Sequence, residues 1–177
     1  MSLHSRRPSR RGLAALLSAG LLGLAGAGAA WSATATTATA AHRLRTCAVS
    51  DLYVSMGRKE GAAGSVYWPI RFTNTSTTGC ALRGYPGVSA LDTAHRQIGP
   101  AATRTGQSYS TVTLAPAHSV SAVIRTTNGP IGGPCLRTGT YLRIYPPASL
   151  EAVLVPASWT ICSGNFQVGP VNTQGTF

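Results

Sequence analysis

A chain of 177 residues is long enough to bury a core in one domain and still carry an appendage. Fifteen lysines and arginines face only four acidic residues, a formal charge of +11. So few carboxylates leave little material for paired-acid hydrolysis or carboxylate-ligated metal chemistry, and the basic excess, spread singly along the chain, reads as general solubility rather than a polyanion site.

The chain opens with Arg6, Arg7, Arg10 and Arg11, followed by an acid-free apolar run over residues 13–30 and several Ala-x-Ala steps. That order of basic start, apolar middle and small residues predicts a signal peptide with a flexible lead-in over residues 1–41. An uncleaved membrane anchor is the competing reading, because the run approaches bilayer-spanning length, but four glycines within it lower its hydrophobicity. The pair Arg10-Arg11 also fits a twin-arginine export signal loosely. Beyond residue 41 eleven basic residues remain against four acidic ones, a surplus of +7. No nucleic-acid motif accompanies them, so specific nucleic-acid binding is not expected.

Cys47, Cys80, Cys135 and Cys162 all lie beyond the leader. An even number in an exported domain implies two disulfides and three pairings; Cys47–Cys80 with Cys135–Cys162 is favoured because each ties a strand to a nearby segment of the same half of the chain. Zinc is disfavoured, since no Cys-x-x-Cys spacing occurs. The domain is expected over residues 46–177. A first irregular strand surrounds Val49, Leu52, Val54 and Met56, and residues 57–64 read as a glycine-punctuated loop. Val66, Trp68, Ile70 and Phe72 then alternate with polar neighbours, a period of two that buries one face of a strand. Pro69 lacks a donor and predicts an edge or a bulge there.

Residues 74–79 and the run Gly84-Tyr85-Pro86-Gly87 read as turns, with Cys80 and Leu82 pointing one way between them. Val88 to Leu91 is a short strand, and residues 97–100 answer it across a hairpin turn at 92–95. Residues 104–109 read as loop. Strands at 111–114 and 120–124 are expected to pair with each other, and residues 140–145, 152–155 and 159–168 repeat the pattern of short strands broken by proline and glycine. Eight or nine short strands with no helical segment after the leader indicate an all-β sandwich with Greek-key connections, preferred to a closed barrel because strand prolines imply edges.

Phe72-Thr73-Asn74, then Cys80 through Gly84-Tyr85-Pro86-Gly87, Leu91-Asp92 with Gln97-Ile98-Gly99, Leu114-Ala115-Pro116 and the late cysteine pair together resemble an actinobacterial exported family, domain of unknown function 4232. The resemblance spans residues 46–171 and implies an immunoglobulin-like sandwich, secreted or lipid-anchored. It implies no activity and no catalytic residue. The sequence departs from the family where turn glycines are common, at residues 93–95 and 117–118.

Catalytic groups would have to come from Asp51, Glu60, Asp92 and Glu151 and from His42, His95 and His118. A Ser–His–Asp set of Asp92 and His95 with Ser89 or Ser121 can be written down, but Asp92 and His95 fall in one predicted turn and no Gly-x-Ser-x-Gly elbow occurs. No enzyme, metal or cofactor is therefore expected. A binding surface is the better expectation: Tyr85 with Arg83, and Tyr67 with Arg71, offer aromatic faces beside cations. Tyr141, Arg143 and Tyr145 offer the same chemistry on a later strand, while Trp68 and Trp159 read as packing. The reading at this level is an exported, non-catalytic module that binds at the cell envelope or outside it, to a cell-wall polymer or another extracytoplasmic protein. A small secreted hydrolase or inhibitor working through surface loops is the alternative.

Overall fold

The computed structural model describes residues 44–177; the leader read at residues 1–41, and His42, lie outside them. Among the described residues the chain is all-β. A 3-10 turn at Val49–Asp51 leads into eleven strands: β1 (Leu52–Met56), β2 (Glu60–Ala62), β3 (Ser65–Asn74), β4 (Cys80–Arg83), β5 (Gly87–Leu91), β6 (Thr103–Arg104), β7 (Thr111–Leu114), β8 (Ser119–Thr127), β9 (Gly139–Tyr145), β10 (Val153–Trp159) and β11 (Phe166–Val168). The count exceeds eight or nine because β2 and β6, expected as loop, pair with β3 and with β11.

A six-stranded sheet runs β1-β3-β8-β11-β6 with β2 also on β3, a three-stranded sheet runs β10-β9-β5, and β4 pairs with β7 alone. The expected pairing of residues 111–114 with 120–124 is therefore corrected. β7 takes β4, from Cys80 opposite Leu114 to Arg83 opposite Thr111, while β8 lies between β3 and β11. Residues 97–102 follow β5 without becoming a strand: Ile98 N–H bonds Ala90 O and Ala102 N–H bonds Val88 O.

The period of two in β3 works as expected. Ile70 and Phe72 are fully buried, and Val66 and Trp68 are half-buried against the same cluster. Val120, Ala122 and Ile124 of β8, Val88 and Ala90 of β5, Leu142 and Ile144 of β9, and Val155 and Trp159 of β10 complete one core shared by the sheets. Each fully buried large side chain contributes about 1.5–3 kcal/mol. Trp159 lies 6.2 Å from Trp68, ring to ring, so the two tryptophans pack as expected.

Pro69 sits at neither an edge nor a bulge: β3 is internal and pairs Pro69 with Val123 in regular register. Its carbonyl accepts from Gly57 N–H at 2.8 Å, so the ring nitrogen faces the same flank, where β1 has ended and β2 has not begun. The bond that proline cannot return to Gly57 is supplied next door: the Trp68 indole N–H donates to Gly57 O at 2.7 Å. Nothing is left unpaired, and an internal proline is tolerated.

β10 carries the other strand proline. The bonds from Ile98 and Ala102 turn the main-chain groups of Val88 and Ala90 outward. Alternation across β9 then turns those of Leu154 and Pro156 away from β9. The missing donor of Pro156 thus lies on the side of β10 away from β9, where a groove of about 510 Å³ separates it from β1.

Both disulfides form as favoured, Cys47–Cys80 and Cys135–Cys162, which fits an oxidising extracytoplasmic environment. No helix among the described residues is long and apolar enough to cross a membrane.

Asn74 closes β3 and organises the turn after it. Fully buried, it donates from Nδ2 to Thr78 O and Leu114 O at 2.9 and 3.1 Å, and its Oδ1 accepts from Ser76 N–H and Ser76 Oγ–H. The turns that lack glycine adopt the conformation glycine would favour: His95 has φ 58° and Ala117 φ 64°. A side chain there costs on the order of 1–2 kcal/mol against the right-handed alternative. At residue 95 that geometry is held by Asp92.

Candidate ligand-binding face

The Ser–His–Asp set does not assemble. Asp92 Oδ1 accepts from the N–H groups of Ala94 and Arg96, both at 2.9 Å, and Oδ2 from Arg96 Nε and Arg137 Nη2 at 3.1 and 3.0 Å. Every acceptor direction is therefore filled by a donor that is not histidine. His95 points its ring edge-on to Tyr141 at 5.0 Å. Ser89 is buried opposite Arg143, and Ser121 lies opposite Arg71 on another sheet.

Asp51 is spent in the same way. It binds the Arg45 guanidinium through both oxygens and accepts from Ala48 N–H at 2.7 Å. Glu60 on β2 and Glu151 after β9 are exposed. Among the described residues no three of His, Cys, Asp and Glu gather as metal ligands.

These contacts fix a pH dependence. The Arg45 guanidinium, and then Ala48 N–H, hold the Asp51 carboxyl below the usual carboxylate range against the opposing effect of burial. Asp92 is lowered first by the Arg96 N–H, then by Ala94 N–H and the Arg96 side chain. Carboxyls with depressed folded pKa values stabilise fully above their unfolded pKa, near 4, and lose that contribution as pH falls through the folded values. Melting temperature is therefore expected to fall steeply below about pH 4 and to change little from about pH 5 to 8. A flat acid limb in a thermal-melt series would contradict the assignment.

The four Tyr and Arg candidates lie on two sides of one segment, residues 170–177. That segment continues the line of β11 along β8: Gly169 N–H bonds Val123 O at 2.9 Å, and Ser121 and Asn172 exchange both main-chain bonds at 2.9 and 2.8 Å. Val171 is buried and bonds Gly84 O, which ties the segment to the turn that carries Tyr85. Gly84 itself has φ 102°, a conformation that requires glycine at this turn. Asn172 Oδ1 then accepts from Gln174 N–H and Gly175 N–H while its Nδ2 donates to Thr176 O, folding residues 173–177 back over the sheet.

On one side, Tyr67 and Arg71 project from the outer face of β3. Tyr67 meets Phe177 edge to face at 5.4 Å, and the Arg125 guanidinium lies 5.9 and 5.8 Å from those two rings. On the other side, Tyr85 is an anchor more than an open face: half-buried against the core, it donates its hydroxyl to Gln107 O at 2.5 Å. Its ring meets Tyr109 edge to face at 5.5 Å, Arg83 lies 4.9 Å from the Tyr109 ring, and Arg104 lies 5.7 Å from that of Tyr85.

Three grooves border the segment. The largest, about 720 Å³, runs between it and residues 107–113; a second of 360 Å³ includes Tyr67, Pro69 and Val123; a third of 650 Å³ includes Arg58 and Arg71. Thr176 borders all three.

Sequence reasoning missed Tyr109, Arg104, Arg125 and Phe177. Tyr109 stands alone among serines, and no local period marks it as part of a surface. Tyr141, Arg143 and Tyr145 lie half-buried on the outer face of β9, while Leu142 and Ile144 take the core. A smaller cavity of about 290 Å³ elsewhere holds Lys59, whose ammonium lies 4.0 Å from the Trp68 ring and donates to Ser158 O. Burial lowers its pKa from the ordinary lysine value.

No curated protein matches the chain. The family model for a domain of unknown function, DUF4232, matches residues 47–172, from the first cysteine of the Cys47–Cys80 bridge to the asparagine that folds residues 173–177 over the sheet. With most of its length matched, the chain belongs to the DUF4232 family.

Proposed function

We propose that the chain is an exported, non-catalytic binding module, an immunoglobulin-like Greek-key sandwich that takes its ligand on the face around residues 170–177. The observation that carries this reading is the convergence of three grooves and four arginine–aromatic contacts around one segment bonded at both sides. Aromatic faces held in place by neighbouring guanidinium groups present binding area with little conformational entropy left to lose. The commitment of Asp51 and Asp92 to structural bonds supports the non-catalytic half of the reading. The leader read at residues 1–41 and the two disulfides support export, and the surroundings this implies are the cell wall and other extracytoplasmic proteins.

The test is retention of the full, oxidised chain, recovered from an exporting host, on isolated cell-wall material. Replacing Arg71 and Arg83 with alanine is expected to weaken retention about tenfold. Leu150→Ala, at a fully exposed turn after β9, is expected to change nothing. Equal retention of all three proteins would remove this face from the reading. Hydrolysis of wall material that Asp92→Ala abolishes in a folded protein would replace it with the secreted-hydrolase alternative.

A further inference from the structure

The groove of about 720 Å³ between residues 107–113 and 170–177 is polar without being charged. In a chain of net charge +11, no lysine, arginine, histidine, aspartate or glutamate lines it. Ten of its fourteen lining residues carry neutral hydrogen-bonding side chains, and two more, Val112 and Phe177, add apolar surface. Among the described residues the side chains of Ser110, Thr113, Gln174 and Thr176 make no hydrogen bond to protein, so their donors and acceptors face the groove or solvent unspent. Gln107 uses its carbonyl oxygen on the Thr105 hydroxyl and keeps its NH₂. Tyr109 lines the same groove with 42% of its surface exposed, while Arg83 and Tyr85 hold its ring.

We infer that this groove binds a neutral, hydroxyl-rich oligosaccharide, with Tyr109 as its aromatic contact. Hydroxyl and amide side chains are each donor and acceptor, or offer both from one group, and sugar hydroxyls have the same dual character. An aromatic ring supplies apolar area for the C–H face of a pyranose, and its hydroxyl supplies a polar tip. A polyanion would require cations to replace its counterions, and the groove has none. The volume lies within the range of ordinary ligand sites. The inference rests on the binding reading above and names its ligand class.

Neutral hexasaccharides of glucose, mannose, galactose and N-acetylglucosamine, titrated into the full oxidised chain and followed by calorimetry, test it. At least one is expected to bind with a dissociation constant below about 1 mM, with little dependence on salt. Tyr109→Ala should weaken that binding about tenfold, and Tyr109→Phe should retain most of it. Gln174→Ala, whose side chain supports no other group, should weaken binding about threefold without moving the melting temperature, which keeps the test valid if Tyr109→Ala disturbs packing. If none of the four binds while wall retention persists, the saccharide inference falls and the binding reading stands. Salt-sensitive binding of heparin instead, lost in the Arg71 and Arg83 variant, would assign the face to polyanions. Loss of every interaction, wall retention included, would overturn both.

Discussion

Replacing Cys47 and Cys80 together with alanine is expected to lower stability by about 4–5 kcal/mol. The bridge closes a separation of 33 residues, which by chain entropy alone corresponds to roughly 3.5 kcal/mol, in a model whose mechanism is disputed. Burial adds to this. Cys80 is fully enclosed and Cys47 is 2% exposed, so removing both sulfurs also leaves a void in the core of about 1 kcal/mol.

The bridge also fastens the backbone around Arg45: Cys47 N–H bonds Ala81 O and Ala81 N–H bonds Arg45 O, at 3.0 and 2.9 Å. Thermal melts should show a loss on the order of 10–20 °C. The Cys135–Cys162 pair closes a similar separation of 27 residues, but Cys135 is half-buried, so its removal should cost nearer the entropic part alone. A double variant of Cys47 and Cys80 that melted within about 2 °C of the parent would show that the core, not the cross-link, carries this corner of the fold.

Asn74→Ala is expected to cost about 2–4 kcal/mol although it removes no large side chain. The lost amide takes a buried donor from Leu114 O and the acceptor from Ser76 N–H, at a position with no solvent access, while Thr78 O keeps only the Ser76 hydroxyl at 2.9 Å. The isosteric Asn74→Asp variant separates hydrogen bonding from shape. Its carboxyl would face two carbonyl oxygens where Nδ2 now donates, so the ionised form is disfavoured and the folded pKa rises above the unfolded value. For a group shifted in that direction, relative stability is greatest below the unfolded pKa and falls as pH rises through the folded one. Asn74→Asp should therefore melt closer to the parent at about pH 4 than at pH 7, opposite to the acid limb of the parent. Equal destabilisation at both values would mean that the amide donor is not what holds the turn.

The parts of this fold legible in the sequence are those set by local alternation. Val66, Trp68, Ile70 and Phe72 announce an inward face by period alone, and the half-chain positions of the cysteines favour the pairing observed. Pro69 was misleading for a definable reason. Its tolerance inside β3 depends on Gly57 being brought alongside and on the neighbouring indole reaching it, neither of which is a property of residues 65–74. β6 needs β11, more than sixty residues away, before two residues can count as a strand. β7 and β8 look like a hairpin because a turn joins them, yet β4 and β3 offer each the better partner.

The candidate face shows the same division. Tyr85 and Arg83, and Tyr67 and Arg71, could be picked out as aromatic–cation pairs. What relates the two pairs is the path of residues 170–177, and Tyr109 gains its meaning only when Gly84, Tyr85 and Arg83 surround it.

Pro156 has a consequence for how this chain behaves in a crowd. An edge strand normally presents a row of alternating donors and acceptors, a template on which a second copy can begin a continuous ladder. On the side of β10 that faces the groove shared with β1, the outward positions are Leu154 and Pro156, and the second of these has an acceptor but no donor, so a strand entering there would meet a break after its first bonded pair. Self-propagating sheet growth from this edge is thereby interrupted in a protein whose Leu154 is otherwise 42% exposed there.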